Sequence, residues 1–580
     1  MGRLSRAPGE GGGPVSTRPL ISGPRHAVSA GHYLAASAGL AILEAGGNAI
    51  DAGVAAGMVL GVVQPDIVNI GGVAPILIRR ADGRMESIAG LGHWPKSLPP
   101  DLFMREHGGK MPRGVLRTVV PAALDAWITA LERHGRLGFA QVAEPAIRFA
   151  REGYRVYKLL ADSIAEHAKD YASWPSNAAI FLPGGQPPPE GALFRQPDLA
   201  AMLQFMADED RRAAATGGRE AGLAAAHDAF YKGDIARVIV DFIQGEGGFL
   251  SAEDMAGFRS RLEPVVMREW RGHQVCTSGP WCQGPALLEA LLLMERAGFD
   301  GLAHNSADYL HLTAECLKVA MADREYHFAD PAFTDVPLEA LLGEAHLAAR
   351  LAGIDRQRAH PGMPEPLLGP GTILPPPSQR PLPAIEPDTS YVAVVDAEGN
   401  AFSATPSDGT YNGPIIPGLG IIASGRGTQS RPDPAHPCGV GPGKRPRLTP
   451  NPAMVVKRDG GVMPFGTPGG DVQVQAMLQV LLNHLHFGMD LQEAIEAPRV
   501  ATYSFPSSFA PYDYFPARLA VESRIPATVR EALRARGHDI KDWPDWTWLA
   551  GSVEAVSSDP ATGLRLAGAD PRRPAYAVAM

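Results

Sequence analysis

Apolar positions follow two rhythms along the chain. Between residues 34 and 63, Leu40 and Leu43, and then Val54 and Met58, recur at helical spacing, which predicts two helical stretches. Gly46-Gly47 separates them, because glycine stops a helix readily, and Asn48 is a natural cap for the second. Ala35, Ala36, Ala38, Gly39, Ala52, Gly53, Ala55, Ala56 and Gly57 are all small, so another layer of structure can approach both stretches closely. Residues 73–80 (VAPILIRR) read as a strand followed by an Asp82-Gly83 turn. Residues 120–152 and 286–328 read mainly as helix, with Leu287, Leu288, Leu291 and Leu292 on one apolar face. No repeat at solenoid periods is present.

Near residue 390 the rhythm changes. Tyr391 to Val395 (YVAVV) is a strand, Asp396 to Gly399 is turn material, and Asn400 to Thr405 is a second strand. A loop of Ala397-Glu398-Gly399, with Asp396 facing Asn400, sets a register that puts Thr389 opposite Ser407. Just upstream, residues 361–388 hold ten prolines, which exclude a helix or a central strand. This segment is expected to be an extended, exposed loop, partly polyproline II, and on composition alone it reads equally well as a domain linker. Farther on, PFGTPGGD (464–471) precedes a predicted helix from Val472 to Leu482. Gly469 and Gly470 would then present N–H groups near a helix N-terminus, where an oxyanion is well held.

Composition narrows the function classes. The 580 residues suggest about four domains by length alone. They are 45% hydrophobic and 20% charged, enough for a large core without disulfide staples. The net charge of −9 argues against a nucleic-acid partner. The four cysteines form no CxxC, which argues against a zinc finger or a disulfide framework. There is no HExxH, no GxSxG and no P-loop, since Gly443-Lys444 is followed by Arg445; no metal or cofactor is expected. Met1 to Gly13 has two arginines but no apolar core, so it reads as a flexible tail rather than a signal peptide. Ala52 to Val63, the longest apolar run, is shorter than the roughly 18 residues of a spanning helix. A soluble, cytoplasmic protein without a membrane partner is the expectation.

Taken one at a time, these residues have plainer readings. A threonine in a strand is most often a packing residue, a Gly-Gly before a helix a tight turn, and a serine at a strand end a partner for backbone groups. His93, His311 and His327 read as ordinary surface or core histidines. KRPR (444–447) reads as a structural loop or a substrate rim rather than a nucleic-acid patch.

Seven segments in order, however, resemble the gamma-glutamyltransferase (gamma-glutamyltranspeptidase) family of N-terminal nucleophile hydrolases. They are residues 42–72 (ILEAGGNAIDAGVAAGMVLGVVQPDIVNIGG), 321–331 (MADREYHFADP), 388–405 (DTSYVAVVDAEGNAFSAT), 442–456 (PGKRPRLTPNPAMVV), 467–481 (TPGGDVQVQAMLQVL), 493–499 (EAIEAPR) and 568–573 (GADPRR). The resemblance spans about residues 26–580 and implies an α+β fold, a four-layer αββα sandwich. It implies a precursor that cuts itself between Asp388 and Thr389. After a flexible tail over 1–25, residues 26–388 would be the large subunit, with 361–388 as the tether before the cut, and residues 389–580 the small one. The resemblance implies that Thr389 is the nucleophile, that Ser407 is a second hydroxyl beside it, and that Gly469 and Gly470 hold the oxyanion. A freed α-amine, with a reference pKa of about 7.7–8.0, would serve Thr389 as its own base. The substrate would be a small-molecule amide or peptide. Whether the two-chain product pairs further stays open.

The match fails in the pocket that reads the glutamyl group. The family's carboxylate-binding arginine falls near Leu91 in AGLGHWPKS (89–97), where no arginine lies, its paired serines on Leu448 and Thr449, its acidic residue for the substrate amine on Gln429, its asparagine on Gly409, and a nearby glutamine on Arg426. Cys282, in PWCQGPA, falls in a loop near the pocket. Losing one partner of a buried charge pair costs about 2–5 kcal/mol. An amidohydrolase or acyltransferase of altered substrate class is therefore expected, as in the divergent branch that includes cephalosporin-acylase-type enzymes. Arg426, and less directly Arg447, are left to receive an acidic group placed differently. The alternatives are a true glutathione-type enzyme with other pocket residues, and an inactive scaffold on the same fold.

Overall fold

The computed structural model describes residues 16–369, 374–379 and 388–580. Two seven-stranded sheets form its middle. One runs, in spatial order, Ile21–Gly23, Arg565–Ala569, Glu554–Ser558, Val462–Gly466, Ala453–Val456, His273–Thr277 and Val266–Trp270. The other runs Tyr576–Ala579, Ala27–Ala30, Val392–Val395, Ala401–Ala404, Ile76–Arg79, Met85–Ile88 and Leu262–Glu263. Their facing sides close on Ala27, Tyr391, Ala393 and Val395 from one sheet and Cys276, Met454, Val462 and Val556 from the other. Helices cover both outer faces. Tyr33–Glu44, Ala49–Val63, Ala123–His134 and Phe139–Glu152 pack on one, and Gly284–Ala297, Ala307–His327 and Gln473–Leu485 on the other. This is a four-layer αββα sandwich, so one unit replaces the four domains that length suggested.

The hairpin shows why its strands read as continuous apolar runs. Val392 and Val394 point to the helices while Ala393 and Val395 point to the other sheet, so both faces are buried. Val392 pairs with Ala404 and Val395 with Ala401, and the Asp396 N–H reaches the Asn400 carbonyl at 3.1 Å, the register expected from the sequence. Small residues in the flanking helix have a definite purpose. A Cβ on Gly53 would lie 2.1 Å from the Phe402 ring, and one on Gly57 2.6 Å from Trp127.

Most predicted helices form, with two breaks that the periodicity missed. Asn48 caps the second helix, accepting from Ile50 N–H and Asp51 N–H. The stretch 120–152 is interrupted between His134 and Phe139, because the Asp51 carboxylate takes the N–H groups of Arg136 and Leu137. The stretch 286–328 divides at Gly298, which turns left-handed at φ 68°. Of the expected tail, residues 1–15 lie outside the described set; Ile21–Gly23 is an edge strand rather than tail, because Ile21 packs against the inter-sheet cluster and pairs with Ala567. The proline-rich segment is described only in part. Residues 374–379 carry no regular structure, and the Ser378 N–H anchors them to the Tyr514 carbonyl at 2.8 Å. Among the described residues no helix is long and apolar enough to cross a membrane.

Candidate active site

Thr389 sits where the proline-rich segment enters the central hairpin. Its side chain is fully buried and its N–H donates to the Ile67 carbonyl at 3.1 Å. The next residue continues the ladder, Ser390 N–H to Pro406 C=O at 2.9 Å. Thr389 has φ +80°, a left-handed conformation that a β-branched side chain resists at a cost of about 1–3 kcal/mol. The strain falls on the residue that follows the Asp388–Thr389 peptide bond.

The hairpin register brings the two hydroxyls together: Thr389 Oγ1 and Ser407 Oγ are 2.6 Å apart. Ser407 Oγ in turn donates to Asp388 Oδ1 at 2.6 Å. Since Ser407 has one proton to give, Thr389 donates to Ser407, and a continuous chain runs from Thr389 through Ser407 to the Asp388 carboxylate. Arg426 closes it. Its Nη1 donates to Asp388 Oδ2 at 2.7 Å, and its Nη2 reaches both Asp388 Oδ1 and Ser407 Oγ.

Arg426 is only 2% exposed. Burial works to lower its pKa, but the Asp388 and Asp408 carboxylates outweigh it and hold the guanidinium above its ordinary range. Asp408 lies 4.0 Å from Arg426 Nε and accepts from Ser424 Oγ at 2.7 Å and Gly425 N–H at 3.0 Å. Burial pushes its carboxyl up to about 6, against the pull of Arg426. The Phe509 ring lies 5.8 Å from the guanidinium.

The Gly-Gly turn also approaches Thr389, through the helix that follows it. Gly469 and Gly470 have φ +123° and +56°, conformations that other residues adopt only with strain. Gln283 Nε2 fixes this turn, donating to the Gly470 carbonyl at 2.9 Å and the Thr449 carbonyl at 2.8 Å. Gln473, the first residue of the helix that follows, donates from Nε2 to Thr389 Oγ1 at 3.4 Å. The helix start that carries the glycines is thus tied directly to the threonine hydroxyl.

The positions where the resemblance broke down form two groups. Leu91 and Leu448 share an apolar cluster with Cys282, Val73, Ala89 and Trp281. Burial raises the Cys282 thiol to about 12, so it stays neutral. Gln429 Nε2 donates to Thr449 Oγ1 at 2.8 Å, and both side chains are buried. Leu91 and Gln429, where the resemblance placed an arginine and an acid, thus sit in an apolar patch and a neutral pair. Gly409 admits no side chain, since a Cβ there would lie 2.3 Å from the Asp66 carbonyl oxygen. Arg447 is spent on Glu325 at 2.7 Å and on the Arg324 carbonyl at 2.9 Å. The rest of KRPR is also buried and structural, Arg445 binding Asp330 and Lys444 the Pro437 carbonyl. His311 bonds to His538 and the Asp355 carbonyl, as a core histidine does.

Sequence reasoning missed four residues here: the side chain of Asp388, and Asp408, Gln473 and Phe509. Asp388 was visible only as the residue before a cut. A buried arginine needs a carboxylate, and that requirement alone could have directed attention to the two aspartates flanking the hairpin.

Comparison with known proteins agrees with this architecture. Residues 35–580 match the family model described as gamma-glutamyltranspeptidase. The acylase ACY 1 proenzyme of Pseudomonas sp. (strain SE83) is 33% identical over 93% of this chain and 91% of its own. The glutathione hydrolase-like YwrD proenzyme of Bacillus subtilis (strain 168) is 31% identical over 96% of this chain and 99% of its own. The crystal structure of a cephalosporin acylase from Bacillus halodurans superposes with a TM-score of 0.84 at 28% identity, covering 100% of this chain and 99% of that one.

Proposed function

The chain belongs to the gamma-glutamyltranspeptidase family, and within it we propose an autoprocessed N-terminal threonine amidohydrolase or acyltransferase with an altered glutamyl-reading pocket. The observation that carries this reading is the hydrogen-bond chain from Thr389 through Ser407 to Asp388, built across the bond to be cut.

In the precursor, Thr389 Oγ attacks the Asp388 carbonyl carbon while its proton passes to Ser407 and on towards the Asp388 carboxylate. The C–N bond breaks, the nitrogen takes a proton, and Asp388 is left as an ester on Thr389 Oγ. Water hydrolyses that ester. The products are a new carboxylate on Asp388 and a free α-amine on Thr389. The amine then acts as general base for the hydroxyl. A substrate amide is attacked in the same way, with the Gly469 and Gly470 N–H groups receiving the oxyanion. An amine leaves, and water or an acceptor amine takes the acyl group from Thr389. Leu91, Leu448, Gly409, Gln429 and Thr449 stand where the resemblance places the groups that read the acyl head, and none carries a charge for an α-amino acid. Hydrolysis of a non-glutamyl amide is the preferred reaction.

The names of the relatives support both halves of this reading, since one is an acylase and both are proenzymes. The glutathione hydrolase-like relative keeps a second reading in play, a true γ-glutamyl enzyme. The two are separated by assaying the self-cleaved protein on a γ-glutamyl anilide beside a panel of simple acyl anilides. Turnover of the γ-glutamyl compound well below the best acyl anilide is expected. A γ-glutamyl rate far above all the others would select the second reading.

A further inference from the structure

We propose that the Asp388 carboxylate is an internal stand-in for a carboxylate on the substrate's acyl group, and that Arg426 holds the two in turn. This rests on the reading of Thr389 as the nucleophile that cuts behind Asp388.

On that reading Asp388 is the first acyl group this enzyme carries. Its carbonyl carbon is the one esterified to Thr389, and its side chain places a carboxylate two carbons away, the spacing of a succinyl group. The structure shows where such a carboxylate goes. It lies against both Nη atoms of Arg426, in the bidentate arrangement that guanidinium favours, and takes a third hydrogen bond from Ser407. The same serine touches the nucleophile, so the subsite is one residue deep from the reacting atom.

Hydrolysis of the ester unbalances this arrangement. Asp388 gains a second carboxylate, while Asp408 already stands 4.0 Å from Nε of the same guanidinium. Three carboxylates then crowd the Arg426 guanidinium, with the buried Arg573 as a further cation acting on Asp388, and the added charge favours departure of the new chain end. Arg426 is left with Asp408 on its Nε edge, the Phe509 ring 5.8 Å away, and the Nη edge open towards Thr389. A buried guanidinium with an open fork selects a carboxylate. Phe509 also borders the oxyanion turn, since a Cβ on Gly470 would lie 3.1 Å from its ring, so an acyl chain between Arg426 and Thr389 has one apolar wall. The acyl groups that fit are short and end in a carboxylate. They need no α-amino group, because Gln429 stands where the resemblance places the acid that would bind one.

The test compares two anilides of nearly equal shape, succinyl p-nitroanilide and its monomethyl ester, on the self-cleaved protein. The charged compound is expected to be preferred in kcat/KM by about 30-fold or more, the range for a buried charged hydrogen-bonded pair. Arg426→Lys should keep part of that ratio and Arg426→Gln should bring it towards one. If Arg426→Gln fails to cleave itself, labelling by phenylglyoxal gives an independent answer on the unmutated side chain. Arg426 should be shielded in an uncleaved Thr389→Ala chain, labelled in the cleaved protein, and protected there by succinate. A cleaved protein that hydrolyses both anilides equally, with Arg426 unlabelled, would overturn the proposal and leave the nucleophile assignment standing. A chain with no new end at Thr389 would remove that assignment instead, and this proposal with it.

Discussion

At Thr389 a β-branched residue is held at φ +80° with its hydroxyl bonded to Ser407. On the proposed reading, cutting the Asp388–Thr389 bond would free that φ, so backbone strain would help the acyl shift. Thr389→Ser keeps a hydroxyl but loses the β-branch, and its self-cleavage should slow by about tenfold, equivalent to about 1.4 kcal/mol. A time course on denaturing gels measures this, and an unchanged rate would show that strain contributes nothing. Ser407→Ala removes the hydrogen-bonded link between Thr389 and Asp388. Bonds to charged partners contribute about 1.5–3 kcal/mol, so cleavage and kcat should each fall by about 10- to 100-fold. The pH profile has a definite sign. A general base must be neutral, and the Arg426 cation nearby disfavours a protonated α-amine. The acidic limb of kcat/KM should therefore rise to a plateau with a midpoint at or somewhat below the reference value of about 7.7–8.0. A limb whose only midpoint lay near 4 would assign the base to a carboxylate. Asp408, raised to about 6, can add a second, lower inflection.

The elements around the site translate these contacts into packing constraints. The hairpin and its register were legible in the sequence, because the turn residues and the YVAVV run leave one pairing that suits both strands. The break between His134 and Phe139 was missed by the apolar period, though Gly135 and Gly138 mark it, and it is held by Asp51, some eighty residues earlier, taking the N–H groups of Arg136 and Leu137. No local period records such a long-range bond. The stripe of small residues was legible as a close approach, and the structure supplies the partner. Gly53→Ala would place a methyl 2.1 Å from the Phe402 ring behind the nucleophile hairpin. Overpacking of this kind costs about 1–3 kcal/mol, so thermal unfolding should shift downward and self-cleavage should slow with it. Gly470→Ala tests the other wall. Its φ of +56° and the 3.1 Å approach to Phe509 both resist a side chain. Displacing an oxyanion donor lowers kcat by up to about 10²–10³, and a kcat within twofold of the unmutated protein would remove the turn from catalysis.

Over the whole molecule, both sheets interleave strands from either side of residue 388. Ala27–Ala30 lies between Tyr576–Ala579 and Val392–Val395, and His273–Thr277 pairs with Ala453–Val456. Cutting one bond at the edge of this arrangement leaves every one of these ladders intact. The two chains should therefore co-elute on gel filtration and separate only in denaturant. The sandwich was legible through the family resemblance that the seven ordered segments carry. The partner of Arg426 was not legible. Asp388 is thirty-eight positions away and reads in the sequence as a cleavage residue, with nothing to mark its side chain as a ligand. Arg447 misled for the same reason, since Glu325, its counterion, lies far off in the Ala307–His327 helix. The central claim is that Thr389 becomes a free N-terminus and the nucleophile. The most direct measurement is intact mass and N-terminal sequencing of the purified protein after incubation, beside the Thr389→Ala variant. The account predicts two chains, the smaller comprising residues 389–580 and beginning at Thr389, and one uncut, inactive chain for the variant. An uncut Thr389→Ala chain with full amidase activity would contradict it.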